Sequence, residues 1–318
     1  MPTCAPFEGY LATCLLGGTD MKTTRLTAVD IIGMKQKQER IVSLTAYDYT
    51  SAQMLDAAGI HMILVGDTLG MVVQGEETTL PVSIDDIIYH ARMVTRGTRR
   101  ALVVADMPFM SYQVSTEDAL RNAGRLMKEA LVGAVKIEGG ANVAPLVERL
   151  TKIGIPVCGH LGFTPQSTHT LGGPRVQGRT VTDAAALIAD AQALASAGAF
   201  AIVLELVPAT LADEITHRVR VPTIGIGSGP ACDGEIQVFH DLFGLYTDFQ
   251  PRHTRRYLNV AEQLTAAASQ YRADVVARRF PGPEQTTDLK PEVKEEFREF
   301  LRRSGGAVKP LHAKNSRS

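Results

Sequence analysis

ALVVADMPFMSYQVSTEDALRNAGRLMKEALVGAVKIEG, residues 101–139, is the stretch that decides the fold. It opens with an apolar run, ALVVAD, that ends on Asp106. An amphipathic stretch, TEDALRNAGRLMKEAL, comes next, and a second apolar run, AVKIEG, carries Lys136 and Glu138 at its end. Short apolar runs separated by a 3.6-residue periodicity read as two parallel strands joined by a helix.

The same alternation extends outward from Ile41 to about Tyr271. Strands are expected at IVSLTA, MILVGD, ALVVAD, AVKIEG, PVCGHL, FAIVLEL, PTIGIGS and, least clearly, QVFHDLFGL. Helices are expected at SIDDIIYHARMVTRG, VAPLVERLTKIG, TDAAALIADAQALASAG and ATLADEITHRV, several opened by Ser or Thr and closed by Gly. Eight strands alternating with helices favour a closed (β/α)8 barrel, although an open doubly wound sheet with one strand fewer reads much the same. One domain, 21–281, is expected to hold the barrel and an N-terminal helix with apolar Leu26, Ile31, Ile32 and Met34. Residues 282–318 are Pro-rich and charged and read as a flexible tail, in which KPEVKEEFREFLRR has the pattern of a short surface helix.

The chain has 318 residues, 33 basic against 34 acidic, for a formal charge of -1. That balance gives no electrostatic reason to expect nucleic acid or an anionic membrane as partner, and a small molecule is the better default. Cys4, Cys14, Cys158 and Cys232 have neither CxxC nor zinc-ligand spacing, so free thiols in a reducing compartment are expected. Met1–Asp20 contains no Lys or Arg, and its apolar run Tyr10–Gly17 is too short to cross a bilayer. Met21 is the expected natural start, with residues 1–20 a dispensable leader.

Charged residues close one apolar strand after another: Asp67, Asp106, Lys136 with Glu138, His160 and Glu205. In a parallel barrel the carboxyl ends of the strands share one mouth, so residues distant in sequence converge there. Lys136 and Glu138 are two apart and therefore face the same side. Converging acids need a compensating cation, and oxygen ligands without a Cys or His cluster favour a hard ion such as Mg²⁺. Asp67, Asp106 and Glu138 are the expected ligands, directly or through water. Against this, each acid taken alone reads equally well as a helix cap or a surface ion-pair partner, Asp67 above all, because Thr68 and Gly70 follow it in a turn.

Mg²⁺ chelated by a 2-oxo acid would stabilise the enolate formed when the neighbouring carbon loses a proton. Glu205, set in the apolar run AIVLELVP, is the expected base, with burial raising its pKa toward the working range. Lys136 and Thr68 suit contacts to the substrate, and an internal salt bridge to Glu138 is the alternative for Lys136. His160 is read either as orienting substrate or base or as a satisfied structural residue. Tyr47 and Asp48 follow the first strand and are read as ligand contacts or, for Asp48, as a cap. GIGSGP lacks phosphate-loop spacing. HTLGGPRVQGRT, with Arg175 and Arg179, reads as a loop over the mouth or as an ordinary surface loop.

From about Arg40 to Tyr257 the motifs TAYDYTSA, LVGDTLGMVVQG, TTLPVSIDDIIYH, ADMPFMSY, VKIEGG, PVCGHLGFTPQS, VQGR, VLELVP, GIGSG and HDLFG occur in order. In this the chain resembles the 3-methyl-2-oxobutanoate hydroxymethyltransferase (ketopantoate hydroxymethyltransferase) family. The resemblance implies a TIM barrel of the phosphoenolpyruvate mutase and isocitrate lyase type. It implies transfer of a hydroxymethyl group from 5,10-methylenetetrahydrofolate to 2-oxoisovalerate, giving 2-dehydropantoate for pantothenate synthesis. It also implies Asp67, Asp106 and Glu138 as Mg²⁺ ligands, Asp67, Thr68, Asp106 and Lys136 as substrate contacts, Glu205 as proton acceptor, and a cytoplasmic homo-oligomer, a decamer in typical members. Thr68 replaces the usual Ser, Pro174 a frequent aromatic and Glu235 a common Gln. A related 2-oxo acid lyase or mutase, which would need no one-carbon donor, and a catalytically silent barrel, which would have lost the acids, are the rival readings.

Overall fold

The computed structural model describes residues 24–304, so the leader, Met21 and the final basic run lie outside the described residues. Eight strands are seen among them: β1 Ile41–Thr45, β2 Met62–Val65, β3 Leu102–Asp106, β4 Ala134–Glu138, β5 Val157–Gly162, β6 Ala201–Glu205, β7 Thr223–Ile226 and β8 Gly234–Gln237. All pair in parallel in sequence order, and β8 returns to β1, closing the barrel.

The helices are α1 Ala28–Gln36, α2 Tyr49–Ala57, α3 Ile84–Gly97, α4 Thr116–Glu129, α5 Ala144–Lys152, α6 Thr168–Leu171, α7 Val181–Ser196, α8 Ala209–Arg218, α9 Phe239–Leu242, α10 Val260–Val276 and α11 Pro291–Arg303. Side-chain oxygens begin several of them. Ser83 and Ser115 accept from the N–H three residues on at α3 and α4, and Asp48 does the same for Ser51 at α2, so Asp48 is a cap.

Strand alternation divides the core in two. Met62, Leu64, Leu102, Val104, Ala134, Cys158 and Val203 fill the barrel interior, while Ile63, Val65, Val103, Ala105, Val135 and Ile137 face the helices. Cys158 and Cys232 are free and buried. The interior cluster also takes in Ile31 and Met34 of α1, beside the strand-starting residues Ile41, Met62 and Leu102. α1 thus covers the amino ends of the strands. It is pinned there by Lys35, whose Nζ donates to Thr216 O (2.8 Å), Val221 O (3.1 Å) and Asp233 Oδ2 (2.9 Å).

The eighth strand differs from its sequence expectation. It is GEIQ rather than QVFHDLFGL, and the apolar residues that suggested a strand form the single turn α9 and its end. Phe239, Leu242 and Phe243 are spaced i, i+3, i+4 and pack against the core on one helical side, with the two phenyl rings 4.7 Å apart. The true strand escaped notice because Gly234, Glu235 and Gln237 are not apolar, and a side chain at Gly234 would collide with Ile41 of β1.

The chain divides into two compact units, the first ending at Asn259 and the second beginning at Val260. α10, which lies within the expected 21–281 domain, and α11, read as a surface helix of the tail, belong to the second unit. Neither has a buried residue.

Candidate active site

The strand register assembles the mouth. Asp106 is level with Lys136, Glu138 with His160, and Gly162 with Glu205, so neighbouring strands deliver their charged residues side by side. Asp67, Asp106, Lys136, Glu138 and His160 are all buried. Lys136 Nζ lies 2.8 Å from Asp106 Oδ1, 3.2 Å from His160 Nδ1 and 3.9 Å from Glu138 Oε1. The closest partner of Lys136 is therefore across the sheet rather than on its own strand. His160 stands between two acids, with Nδ1 3.3 Å from Glu138 Oε1 and Nε2 3.3 Å from Glu205 Oε2.

Asp67 is not a helix cap. Its N–H donates to Asp106 Oδ2 at 3.0 Å, its Oδ2 accepts from Gln166 Nε2 at 2.9 Å, and the π-helical turn Gly70–Gln74 begins only after Leu69. Thr68 is half-buried beside it. Tyr47 is buried with its hydroxyl unpartnered and its ring 5.6 Å from that of His240, beside the ion-pair network rather than in it.

Glu205 differs from the other acids in exposure: its side chain is 17% accessible against 3% for Asp106 and Glu138, so its apolar strand did not bury it as deeply as expected. The backbone around it is tightly specified. A Cβ on Gly162 would collide with the Glu205 carbonyl, and Leu206 takes a positive φ of 50°, a conformation non-glycine residues rarely adopt. Ser228, from the GIGSGP segment, braces this turn by donating from Oγ to Leu204 O at 2.7 Å and accepting from Val207 N at 3.1 Å. Gln177, in the Gly-rich loop, donates its N–H to Leu206 O at 2.9 Å, bringing that loop alongside Glu205.

The electrostatics follow from burying several acids with few cations. Burial, reinforced by the charges of Asp106 and Glu138, raises the Asp67 carboxyl well above its ordinary value. Burial also raises Asp106, against the pull of Lys136. Glu138 is lowered instead, because His160, Lys136 and the Gln166 N–H together outweigh burial. Burial works against the Lys136 ammonium, yet Asp106, Glu138 and Asp67 reverse this and raise its pKa. His160 is pushed up to about 9: burial and Lys136 oppose its charge, and Glu138 and Glu205 outweigh them.

Asp106 Oδ1 and Glu138 Oε1 are buried acid oxygens of the kind a divalent cation takes, and cations of the protein already stand beside them, Lys136 at 2.8 Å and 3.9 Å and, for Glu138, His160 at 3.3 Å. Among the described residues, however, no three His, Cys, Asp or Glu side chains are grouped so as to hold an ion by themselves. Lys136 stands between Asp106 and Glu138, and the Gln166 N–H occupies Glu138 Oε2. Sequence reasoning missed Gln166 and Tyr112. Both lie inside quoted motifs, GFTPQS and ADMPFMSY, but neither ends an apolar strand, and no local pattern marks an uncharged residue as part of a charged site.

Eight parallel strands closed into a barrel, with acids, a lysine and a histidine buried at their carboxyl ends, define a (β/α)8-barrel enzyme. The profile of the ketopantoate hydroxymethyltransferase family matches residues 25–283. The chain is 55% identical over 267 residues to the 3-methyl-2-oxobutanoate hydroxymethyltransferase of Chloroflexus aurantiacus, a match covering 84% of this chain and 94% of that one. It belongs to the ketopantoate hydroxymethyltransferase family, a family of transferases.

Solved structures share the barrel at low identity. 2,3-dimethylmalate lyase, a PEP mutase/isocitrate lyase superfamily member, matches with a TM-score of 0.51 at 16% identity, covering 88% of this chain and 98% of its own. Phosphonopyruvate hydrolase in complex with oxalate and Mg²⁺ matches with a TM-score of 0.51 at 12% identity, covering 87% and 98%. At such identities the likeness shows the fold. No helix among the described residues is long and apolar enough to cross a membrane.

Proposed function

We propose that the protein transfers a hydroxymethyl group from 5,10-methylenetetrahydrofolate to 3-methyl-2-oxobutanoate, forming 2-dehydropantoate. The observation that supports this most directly is one accessible carboxylate, Glu205, beside a buried set of acids gathered around Lys136. Asp67 and Asp106 would hold Mg²⁺, with Glu138 acting directly or through water; two carboxylates completed by waters and a chelating substrate suit this ion better than an all-protein cage. When bound, Mg²⁺ would draw electron density from the keto group of the substrate.

The remaining roles fall to the protein. Lys136 and Thr68 bind the oxygens of the 2-oxo acid by charge and hydroxyl hydrogen bond. Glu205 Oε2 takes the proton from the carbon beside the keto group, and that carbon bonds to the one-carbon unit as both C–N bonds to the folate break. Water supplies the hydroxyl, and the two protons released by substrate and water end on the folate nitrogens as tetrahydrofolate leaves. His160, within 3.3 Å of Glu205, holds the base in place. Tyr47 closes the side of the mouth. The protein is read as a cytoplasmic homo-oligomer, with the decamer of its family as the expected form.

The test is formation of 2-dehydropantoate by the purified chain from 3-methyl-2-oxobutanoate and methylenetetrahydrofolate, with and without Mg²⁺. Product that requires both the folate and the metal is expected. Turnover of the keto acid without any one-carbon donor would overturn the assignment in favour of a lyase or mutase.

A further inference from the structure

Gln166 lies after β5 on the short turn Pro165–Ser167 and is 6% exposed. Its Nε2 donates to Asp67 Oδ2 at 2.9 Å and to Met107 O at 3.0 Å. Its Oε1 accepts from the Tyr112 hydroxyl at 2.9 Å and from Gln113 Nε2 at 3.3 Å, and its backbone N–H donates to Glu138 Oε2 at 3.0 Å. A side-chain amide has two N–H hydrogens and two lone pairs on its oxygen, so all four are used.

Full use has two consequences. The amide has only one acceptable orientation, since turning it over would set its oxygen against the Asp67 carboxylate and the Met107 carbonyl, acceptor against acceptor. It also keeps no side-chain donor or acceptor for a substrate, so any effect of the amide on the reaction passes through Asp67, while the backbone N–H, which Gln166→Met keeps, holds Glu138. These two acids come from the ends of β2 and β4 and repel each other, and Gln166 holds one oxygen of each.

We infer that Gln166 is a positioning residue that clamps Asp67 and Glu138 in the arrangement that binds the divalent cation and the 2-oxo acid, a role resting on the function proposed above. Glu205 is not among its contacts. Loss of the clamp therefore weakens binding rather than proton removal.

The experiment is Gln166→Met, which keeps the length and volume of the side chain and removes the amide. Binding of Mg²⁺ in the presence of 3-methyl-2-oxobutanoate is followed by calorimetry without folate, alongside steady-state kinetics. The Mg²⁺ dissociation constant and the KM for the keto acid should rise about 10- to 100-fold. The kcat at saturation should stay within about threefold. A purely structural role would instead lower the melting temperature and the active fraction while leaving Mg²⁺ affinity and KM unchanged, and that result overturns the inference.

Should Gln166→Met fail to fold, Tyr112→Phe removes the hydroxyl that braces both halves of the clamp, meeting Gln166 Oε1 at 2.9 Å and the Glu138 backbone O and N–H at 3.1 and 3.3 Å, and should weaken Mg²⁺ in the same direction; unchanged affinity there is equally fatal. The unsubstituted chain separates the two levels. If it shows no Mg²⁺-dependent product, the proposed function fails; if it behaves as proposed and Gln166→Met matches it, only the role of Gln166 fails.

Discussion

At the carboxyl ends of its strands the barrel buries Asp67, Asp106, Lys136, Glu138 and His160, whereas at the amino ends it buries Ile31 and Met34 of α1 against Ile41, Met62 and Leu102. The polar anchors of the lower end include Lys35, whose ammonium meets three oxygens, and Arg25, which donates to the Thr95 and Thr98 carbonyls. The upper end gathers three buried acids, with Lys136 shared between Asp106 Oδ1 and Glu138 Oε1, and pushes two carboxyls upward. Apolar burial at about 25 cal/mol per Å² stabilises the lower mouth, while desolvated acids cost stability at the upper one. A chain that tolerates the second arrangement keeps it for binding and chemistry, and relies on the first for folding.

Substitutions at the two ends should therefore separate activity from stability. The largest effect is expected from Glu205→Gln, which should lower turnover by about 10²- to 10⁴-fold. Its melting temperature and its calorimetric affinity for the keto acid should stay close to those of the parent chain; undiminished turnover would remove Glu205 from the mechanism. At the other end, Ile31→Ala should cost about 2–4 kcal/mol in urea unfolding, because Ile31 is fully buried. Its kcat/KM, measured well below the transition, should stay within about twofold. A large fall in kcat/KM would break the division between the two mouths.

Lys35→Met should be milder, about 1–3 kcal/mol, since it strips a donor from the Thr216 and Val221 carbonyls while Asp233 keeps the Thr223 N–H. Unfolding curves at low and high salt would sharpen this, because a half-buried pair is screened less than an exposed one.

The smallest effect concerns Asp241 of α9, which is pushed up to about 6 by burial, with Arg256 opposing. The folded state then binds more protons than the unfolded state between the ordinary Asp value and about 6, so this group makes stability fall as pH rises through that window. Asp241→Asn should flatten the fall and leave the variant more stable at pH 7 by on the order of 1 kcal/mol. Equal stability differences at pH 4 and pH 7 would show that Asp241 is not the group responsible.

Much of the upper mouth was legible in the chain because strands alternate. Charges at the ends of apolar runs marked β2 to β6, and the two-residue spacing of Lys136 and Glu138 placed both on one side of their strand. The same logic failed at β8, where Phe239, Leu242 and Phe243 follow helical spacing while the real strand has two polar residues and a glycine. It also failed for the depth of Glu205, since an apolar run says nothing about how near the rim its last residue lies.

Sequence alone determined the alternation of elements, the family, and which acids, lysine and histidine end successive strands, and it favoured a closed barrel that the β8–β1 pairing then settled. The alternation rests on backbone periodicity, which each short segment expresses by itself, and the family on motifs that occur in order along the chain. Tertiary structure alone decided that Lys136 pairs first with Asp106, that His160 bridges Glu138 and Glu205, and that Gln166 reaches Asp67 across 99 residues of chain. Such pairings depend on the stagger between neighbouring strands and on the path of the loops, and both are set by how the whole barrel closes rather than by any one stretch within it.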